Sequence, residues 1–123
     1  MQNSGVHDYN GYIRGKGFNF TTENTSQWIA IRDDNNFVGQ WCLISNIGKV
    51  NGLASINKIP VSGYMEVCSV EINNGYVIQI TKGTYAGTYA GTYARLCVVD
   101  WILSIYDEII GAKVKYQYPF EPQ

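Results

Sequence analysis

Few residues in this chain are suited to acid–base chemistry. Its single histidine is His7, and general acid–base catalysis most often uses a histidine or a close pair of carboxylates. Asp107 and Glu108 are adjacent, and neighbours in a strand point to opposite faces, so we interpret them as part of a solvated loop. We therefore predict no catalytic residues and no enzymatic activity. A carboxylate-dependent enzyme using Asp100 and Asp107 is the least favoured alternative.

Asp100 is unusual because it interrupts an apolar run between Val99 and Trp101. A buried carboxylate needs compensation, and Arg95, Arg32 or backbone N–H groups could provide it. We interpret Asp100 as a satisfied polar residue near the end of a strand.

Possible metal ligands are present, but their spacing does not fit a known site. Residues 33–36 read Asp-Asp-Asn-Asn and lack the alternating ligands and the glycine of an EF-hand loop, so we predict a turn built by Asx side chains. Cys42, Cys68 and Cys97 lack zinc-site spacing. We expect buried free thiols, with one disulfide as the alternative. The sequence predicts no metal and no cofactor.

The most distinctive motif is Gly-Thr-Tyr-Ala, repeated three times in residues 83–94. In a strand this period places Tyr85, Tyr89 and Tyr93 on one face, about 13 Å apart at roughly 3.3 Å per residue. A helix is less favoured, because a glycine every fourth residue costs about 1 kcal/mol each relative to alanine. We predict an extended hairpin tip. Its tyrosines are the candidate ligand-binding residues, and its exposed edge could mediate self-association.

Length and composition are typical of one compact domain. The chain has 123 residues, 46% of them hydrophobic, and a formal net charge of −1, which excludes the basic footprint of a nucleic-acid-binding protein. No apolar run is long enough to span a membrane. We expect residues 1–10 to be a flexible leader and residues 11–123 to be a single β domain.

The arrangement of turns and apolar segments predicts an all-β fold. Turn signals recur about every eight to twelve residues between segments rich in Val, Ile, Tyr and Trp, as in antiparallel β domains. We predict a mainly antiparallel β-sandwich or partly open barrel with little or no helix. Residues 11–20 form a strand, and residues 27–32 and 37–45 form a hairpin across the 33–36 turn.

A second hairpin is predicted in the middle of the chain. It joins residues 64–72 to residues 76–82 through a three-residue Asn-Asn-Gly loop. In this register Val70 pairs with Ile78, which matches side chains better than a two-residue turn would.

The last third of the chain contains the predicted central strand. Residues 95–103 are almost continuously apolar, which indicates a strand covered on both faces. A short helix over residues 100–110 is the alternative, because isoleucines recur there at helical spacing. Residues 112–118 alternate apolar and polar side chains and predict a half-buried or edge strand with lysines on its wet face.

The C-terminal motifs resemble a known family. Residues 93–102, Tyr-Ala-Arg-Leu-Cys-Val-Val-Asp-Trp-Ile, and residues 109–120, Ile-Ile-Gly-Ala-Lys-Val-Lys-Tyr-Gln-Tyr-Pro-Phe, are similar to the β-rich domain of unknown function in exported or surface-attached proteins of gut Bacteroides and relatives. The resemblance covers residues 15–122. It implies an exported, cell-surface or periplasmic location, and a single Gly-Thr-Tyr-Ala copy, so that two copies here are an insertion. It implies no catalytic residues.

The favoured function is a non-catalytic binding or adhesion module for a glycan or a protein. The alternative is a structural spacer of a larger cell-envelope protein. A glycan-binding module should expose a contiguous row of Tyr or Trp, whereas apolar patches mark places where another protein or domain docks. We expect Trp28, Trp41 and Trp101 to lie in the core, because they alternate with aliphatic residues.

Overall fold

The fold is a β-sandwich of two antiparallel sheets. The computed structural model describes residues 9–14, 28–81 and 93–122. The larger sheet has five strands in the order β1-β8-β7-β6-β4, and the smaller has three in the order β2-β3-β5. The predicted all-β class is confirmed, as a sandwich and not a barrel. The strands are β1 (Tyr9–Arg14), β2 (Trp28–Ile31), β3 (Asn36–Gln40), β4 (Cys42–Lys49), β5 (Val67–Ser69), β6 (Asn74–Ile80), β7 (Tyr93–Leu103) and β8 (Ile109–Gln117).

The central position of β7 is confirmed, because β7 lies between β6 and β8 in the larger sheet. Residues 94–98 are buried, whereas residues 99–103 are exposed or half-buried, so only the first half of β7 is covered on both faces. β8 pairs with both β1 and β7. It is the predicted half-buried strand, and the edge-strand alternative is wrong. The helix alternative for residues 100–110 is also wrong, since β7 continues to Leu103.

Both faces of the larger sheet pack against other parts of the chain. One face packs on the smaller sheet and forms the main core, which includes Phe37, Tyr76 and Leu96. A second apolar cluster, including Leu53 and Phe120, covers the other face. It is formed by the connection between β4 and β5, which contains the 3₁₀ turn Leu53–Ser55, and by the segment after β8.

Arg95 fixes that second layer to the sheet. Its side chain is almost fully buried. Nε donates to Gln117 Oε1 at 2.8 Å, and one terminal nitrogen donates to the carbonyl oxygens of Leu53 at 3.1 Å and Ile56 at 2.8 Å. The guanidinium carbon lies 4.9 Å from the centroid of the Phe120 ring. These hydrogen bonds and the cation–π contact offset the cost of burying a charge.

The predicted first hairpin is confirmed in β2 and β3, which pair in the register Ile31 opposite Phe37. Its second arm ends at Gln40 and not at residue 45. Trp41 has a φ of 56°, and the chain crosses there to the larger sheet as β4. A Cβ on Gly39 would lie 2.6 Å from the Cys42 carbonyl oxygen, so this crossing requires glycine.

The predicted second hairpin is wrong. β5 pairs with β3 in the smaller sheet, whereas β6 pairs with β4 and β7 in the larger one. A turn closed by the Asn74 N–H and the Glu71 carbonyl oxygen, at 3.1 Å, moves the chain from one sheet to the other. β6 is buried on both faces. It lies inside the larger sheet, where one edge pairs with β4 and the other with β7. Ile78 therefore pairs with Ile44 and Ala94, and not with Val70.

Two other predictions need correction. β1 begins at Tyr9, so Tyr9 and Asn10 belong to a strand and not to the predicted leader. Residues 1–8 of the leader and residues 15–20 of the predicted strand lie outside the described part. Trp41 is 42% exposed because the chain turns at that residue, so its predicted core position is wrong. Trp28 and Trp101 are half-buried, and Trp101 packs on the main core.

Candidate functional site

Two turns from distant parts of the sequence meet at one end of the sandwich. One turn joins β2 to β3 and the other joins β7 to β8. Between them lies an open groove of about 760 Å³, which is within the usual size of ligand sites. Isoleucines form its apolar wall and five polar residues form its rim. The wall is Ile31, Ile109 and Ile110, and the rim is Arg32, Asp33, Asn35, Asp107 and Glu108.

The β2–β3 turn is built by the side chain of Asp34. Its carboxylate forms a two-point ion pair with the Arg32 guanidinium and accepts hydrogen bonds from the backbone and side-chain nitrogens of Asn36, both at 3.2 Å. Asn35 has a left-handed φ of 62°, which asparagine tolerates. The hydrogen bond from Arg32 lowers the pKa of Asp34 and raises the pKa of Arg32 itself. The predicted Asx turn is confirmed, and the Asp34 carboxylate that builds it also pairs with the Arg32 guanidinium.

The β7–β8 turn is organised around Ser104. Its hydroxyl oxygen accepts hydrogen bonds from the backbone N–H groups of Tyr106 at 3.1 Å and Glu108 at 3.3 Å. Its backbone N–H donates to the Glu108 carbonyl oxygen at 2.9 Å. Asp107 has a φ of 62°. The predicted solvated loop at Asp107 and Glu108 is confirmed.

This turn holds large apolar side chains in solvent. Ile105 is 89% exposed and Tyr106 is 78% exposed. Leu103 and Ile110, beside the turn, are 51% and 43% exposed. We call these four residues the hairpin-tip surface. Ile110 belongs to both this surface and the groove, so the two are continuous.

The groove carries an excess of negative charge. Asp33, Asp107 and Glu108 line it, and their side chains make no hydrogen bond or ion pair with the residues that the structure describes. Arg32 is the positively charged residue among those that line the groove, and its guanidinium is already paired with Asp34. Within the described ranges, no three His, Cys, Asp or Glu side chains are grouped to hold a metal ion.

Comparison with family models identifies the domain. The model of a family described as a domain of unknown function, DUF5036, matches residues 18–121. The chain belongs to the DUF5036 family. The match contains both turns of the groove and the whole hairpin-tip surface, and it agrees closely with the extent of the resemblance noted in the sequence. Neither the search of curated proteins nor the search of solved structures gave a match.

A β-bulge explains the position of Asp100 in the DUF5036 domain. The β7–β8 register shifts between Val98 and Asp100, which places Asp100 opposite Lys113 and Trp101 opposite Ala112. The extra residue reverses the faces of the strand after it. Asp100 is therefore exposed, and its carboxylate accepts a hydrogen bond from the Trp101 N–H at 2.8 Å. Of the predicted partners, the backbone N–H is confirmed, at Trp101, whereas Arg95 and Arg32 are not needed because Asp100 is exposed.

The candidate tyrosines are only partly described. Tyr85 and Tyr89, like His7, lie outside the described residues. Tyr93 begins β7 and is half-buried. Its ring centroid lies 6.3 Å from that of Tyr64, and its hydroxyl oxygen accepts a hydrogen bond from Gln79 Nε2 at 3.4 Å. Tyr93 thus packs in the second layer, away from the groove lining, and ligand binding by the three tyrosines stays a prediction.

The three cysteines of the DUF5036 domain are free thiols. Burial raises the pKa of Cys42 to about 12 and the pKa of Cys68 to about 11. Cys42 and Cys97 are buried, and Cys68 is half-buried. The predicted free thiols are confirmed. The thiolate is the nucleophilic form of cysteine, so the raised pKa values make Cys42 and Cys68 weak nucleophiles at neutral pH.

Among the described residues, no helix is long and apolar enough to cross a lipid bilayer.

Proposed function

We propose that this DUF5036 domain is a non-catalytic module that binds a protein partner through the hairpin-tip surface. The observation that carries the proposal is the exposure of Ile105 and Tyr106, at 89% and 78%. Burying a large aliphatic or aromatic side chain is worth about 1.5–3 kcal/mol, and neither side chain gains this in the isolated domain. Contiguous exposed apolar residues with a polar rim are typical of interaction sites.

The turn supports this role because hydrogen bonds brace its backbone. Three hydrogen bonds to the backbone and side-chain oxygens of Ser104 fix the loop between Leu103 and Glu108. A fixed loop loses little conformational entropy when it binds. Tyr106 and the isoleucine beside it therefore resemble the rigid anchors that dominate many interfaces.

A protein partner is favoured over a glycan. In the part of the chain that the structure describes, the large exposed aromatic side chains are Trp41 and Tyr106. Trp41 lies between β3 and β4, whereas Tyr106 lies in the β7–β8 turn. They do not form the contiguous row expected of a glycan platform. The exposed aliphatic residues of the tip are better suited to the apolar core of a protein interface.

The absence of catalysis is part of the proposal. The carboxylate-dependent enzyme of the sequence analysis would need Asp100 and Asp107 to converge in one pocket. Asp100 lies opposite Lys113 in the ladder, whereas Asp107 lies in the turn that lines the groove. The two carboxylates of the enzyme alternative are thus on different parts of the hairpin.

We also propose an exported location, at the cell surface or in the periplasm. This part of the proposal is supported by the resemblance of residues 93–102 and 109–120 to a domain of exported Bacteroides proteins. Self-association through the edge of residues 83–94 stays a prediction, because residues 83–92 lie outside the described part. A spacer domain that docks on its neighbour through the same tip is the second candidate.

A displayed random-peptide library tests the proposal. Binders selected on the wild-type domain are tested again on Ile105→Ser/Tyr106→Ser and on a control, Val61→Ser. Val61 is fully exposed and lies outside the hairpin-tip surface, so the control also removes an exposed apolar side chain. We expect most binders to be lost on the double variant and retained on the control. Equal retention on both variants would contradict the proposal, and tip-independent retention on a glycan array would favour a glycan ligand.

A further inference from the structure

We infer that the partner segment is basic as well as apolar, with Lys or Arg side chains in the groove beside an apolar side chain on the hairpin-tip surface. This inference rests on the proposed function. It concerns the chemistry of the partner, which the exposure of the tip does not specify.

The first step of the argument is the local charge. Asp33, Asp107 and Glu108 face one groove without a side-chain partner among the described residues. The charge of Arg32 is neutralised by Asp34 in a two-point ion pair. The whole chain carries a net charge of only −1, so the negative charge of the groove is a local feature and not a property of the entire surface.

The second step is the position of these charges relative to the apolar residues. The three carboxylates line the same groove as Ile31, Ile109 and Ile110, and Ile110 continues into the hairpin-tip surface. An apolar side chain on the tip would therefore place its sequence neighbours beside the carboxylates. Lysine and arginine fit this arrangement, because their alkyl stems pack on apolar walls while their charged ends reach carboxylates.

A neighbouring groove extends the same surface along β2. It has a volume of about 660 Å³ and shares Ile31, Arg32 and Asp33 with the first groove. Trp28 also lines it, and an indole ring attracts a Lys or Arg side chain through a cation–π interaction. An extended segment that follows both grooves would meet carboxylates first and an indole next. This order again favours a basic segment over a neutral or an acidic one.

The test uses three peptide probes of equal length that share a Leu-Phe centre and are flanked by Lys, Ser or Glu residues. Fluorescence polarisation measures their binding to the wild-type domain at low and moderate salt. We expect the Lys probe to bind most tightly and the Glu probe least. We also expect the affinity of the Lys probe to fall several-fold as salt rises, because screening weakens exposed charge pairs.

Two charge-matched triple variants locate the effect. Asp33→Asn/Asp107→Asn/Glu108→Gln removes the groove carboxylates, and Glu66→Gln/Glu71→Gln/Glu121→Gln removes three exposed carboxylates outside the groove lining. Exposed pairs contribute about 1.4- to fivefold each, so we expect the loss of three to weaken the Lys probe by about threefold or more. The control should change it less than twofold. Thermal melting checks that both variants are folded.

The outcomes separate the two proposals. Binding that depends on Ile105 and Tyr106 but is equal for the Lys, Ser and Glu probes would overturn the basic partner and leave the docking surface intact. Equal losses in the two triple variants would also overturn it, because they would show an effect of net charge alone. If no probe binds in a tip-dependent way, or if sedimentation shows tip-dependent dimers of the domain in place of peptide binding, the basic partner is overturned together with the proposed function.

Discussion

Tyr76 packs edge-on against Phe37, with ring centroids 5.1 Å apart and ring planes at 88°. Phe37 belongs to the smaller sheet and Tyr76 to the larger one, so the pair joins the two layers of the sandwich. The Tyr76 hydroxyl donates to the Ser69 carbonyl oxygen and accepts from the Glu71 N–H, both at 2.9 Å. The same side chain thus fixes the segment where the chain passes between the sheets.

Replacing Tyr76 separates its two contributions to stability. Tyr76→Phe keeps the ring but leaves the Ser69 carbonyl and the Glu71 N–H without their partner, so we expect a loss of about 1–3 kcal/mol in the free energy of unfolding. Tyr76→Ala also creates a cavity, and we expect a loss of about 3–5 kcal/mol. Urea denaturation measures both values. Equal losses in the two variants would show that packing against Phe37 contributes nothing.

Arg95 should control the order of the second layer. Arg95→Met removes the donors to the carbonyl oxygens of Leu53 and Ile56 while it keeps much of the side-chain volume. Hydrogen bonds from a charged group contribute about 1.5–3 kcal/mol each, so we expect a loss of at least about 3 kcal/mol. Hydrogen exchange should also accelerate in residues 53–56. Lys113→Met, at an exposed position of β8, is the control, and unchanged exchange in Arg95→Met would contradict the role of Arg95.

The buried thiols should make the domain less stable at alkaline pH. Cys42 and Cys68 have pKa values of about 12 and about 11 in the folded domain, against an ordinary value of 9.0. Above pH 9 the unfolded chain loses these protons while the folded domain keeps them, so the stability is complete below pH 9 and falls as the pH rises toward 11 and 12. Urea unfolding under reducing conditions from pH 8 to pH 10 should show this decline. Cys42→Ala/Cys68→Ala should reduce its slope, and an identical slope in the variant would contradict this cause.

Gly39 should tolerate no side chain at the point where the chain changes sheets. A Cβ there would lie 2.6 Å from the Cys42 carbonyl oxygen, and overpacking of this kind costs about 1–3 kcal/mol. We expect Gly39→Ala to lower the melting temperature measurably. Gly52→Ala is the matched control, since no atom lies within 4 Å of its added Cβ. Equal melting temperatures for the two variants would contradict the close approach at Gly39.

The sequence predicted the features that depend on local patterns. The central position of β7 followed from its apolar residues on both faces, and the 33–36 turn followed from its Asx side chains. The faces of β7 after Val98 could not be predicted, because a bulge is one extra residue in the ladder and leaves no composition signal. Its presence turned Asp100 outward and Trp101 inward.

The partner strands and the groove depended on contacts between distant residues. Alternating apolar residues fit a local hairpin as well as a distant strand, so the pairing of Ile78 with Ile44 was not visible in the sequence. Asp33 and Asp107 were each assigned to a turn, but only the packing of the sheets brings the two turns together. A local signal for the site was present in Ser104-Ile105-Tyr106-Asp107, where two large apolar residues occupy a turn.

The most direct test of the proposed function is the dissociation constant of the tightest peptide from the library selection, measured by isothermal titration calorimetry. Loss of Ile105 and Tyr106 as anchors should cost about 1.4 kcal/mol or more, which is a tenfold change in affinity. We predict at least a tenfold increase in the dissociation constant for Ile105→Ser/Tyr106→Ser and less than a twofold change for Val61→Ser. A dissociation constant within twofold of the wild-type value in the double variant would contradict the hairpin-tip surface as the binding site.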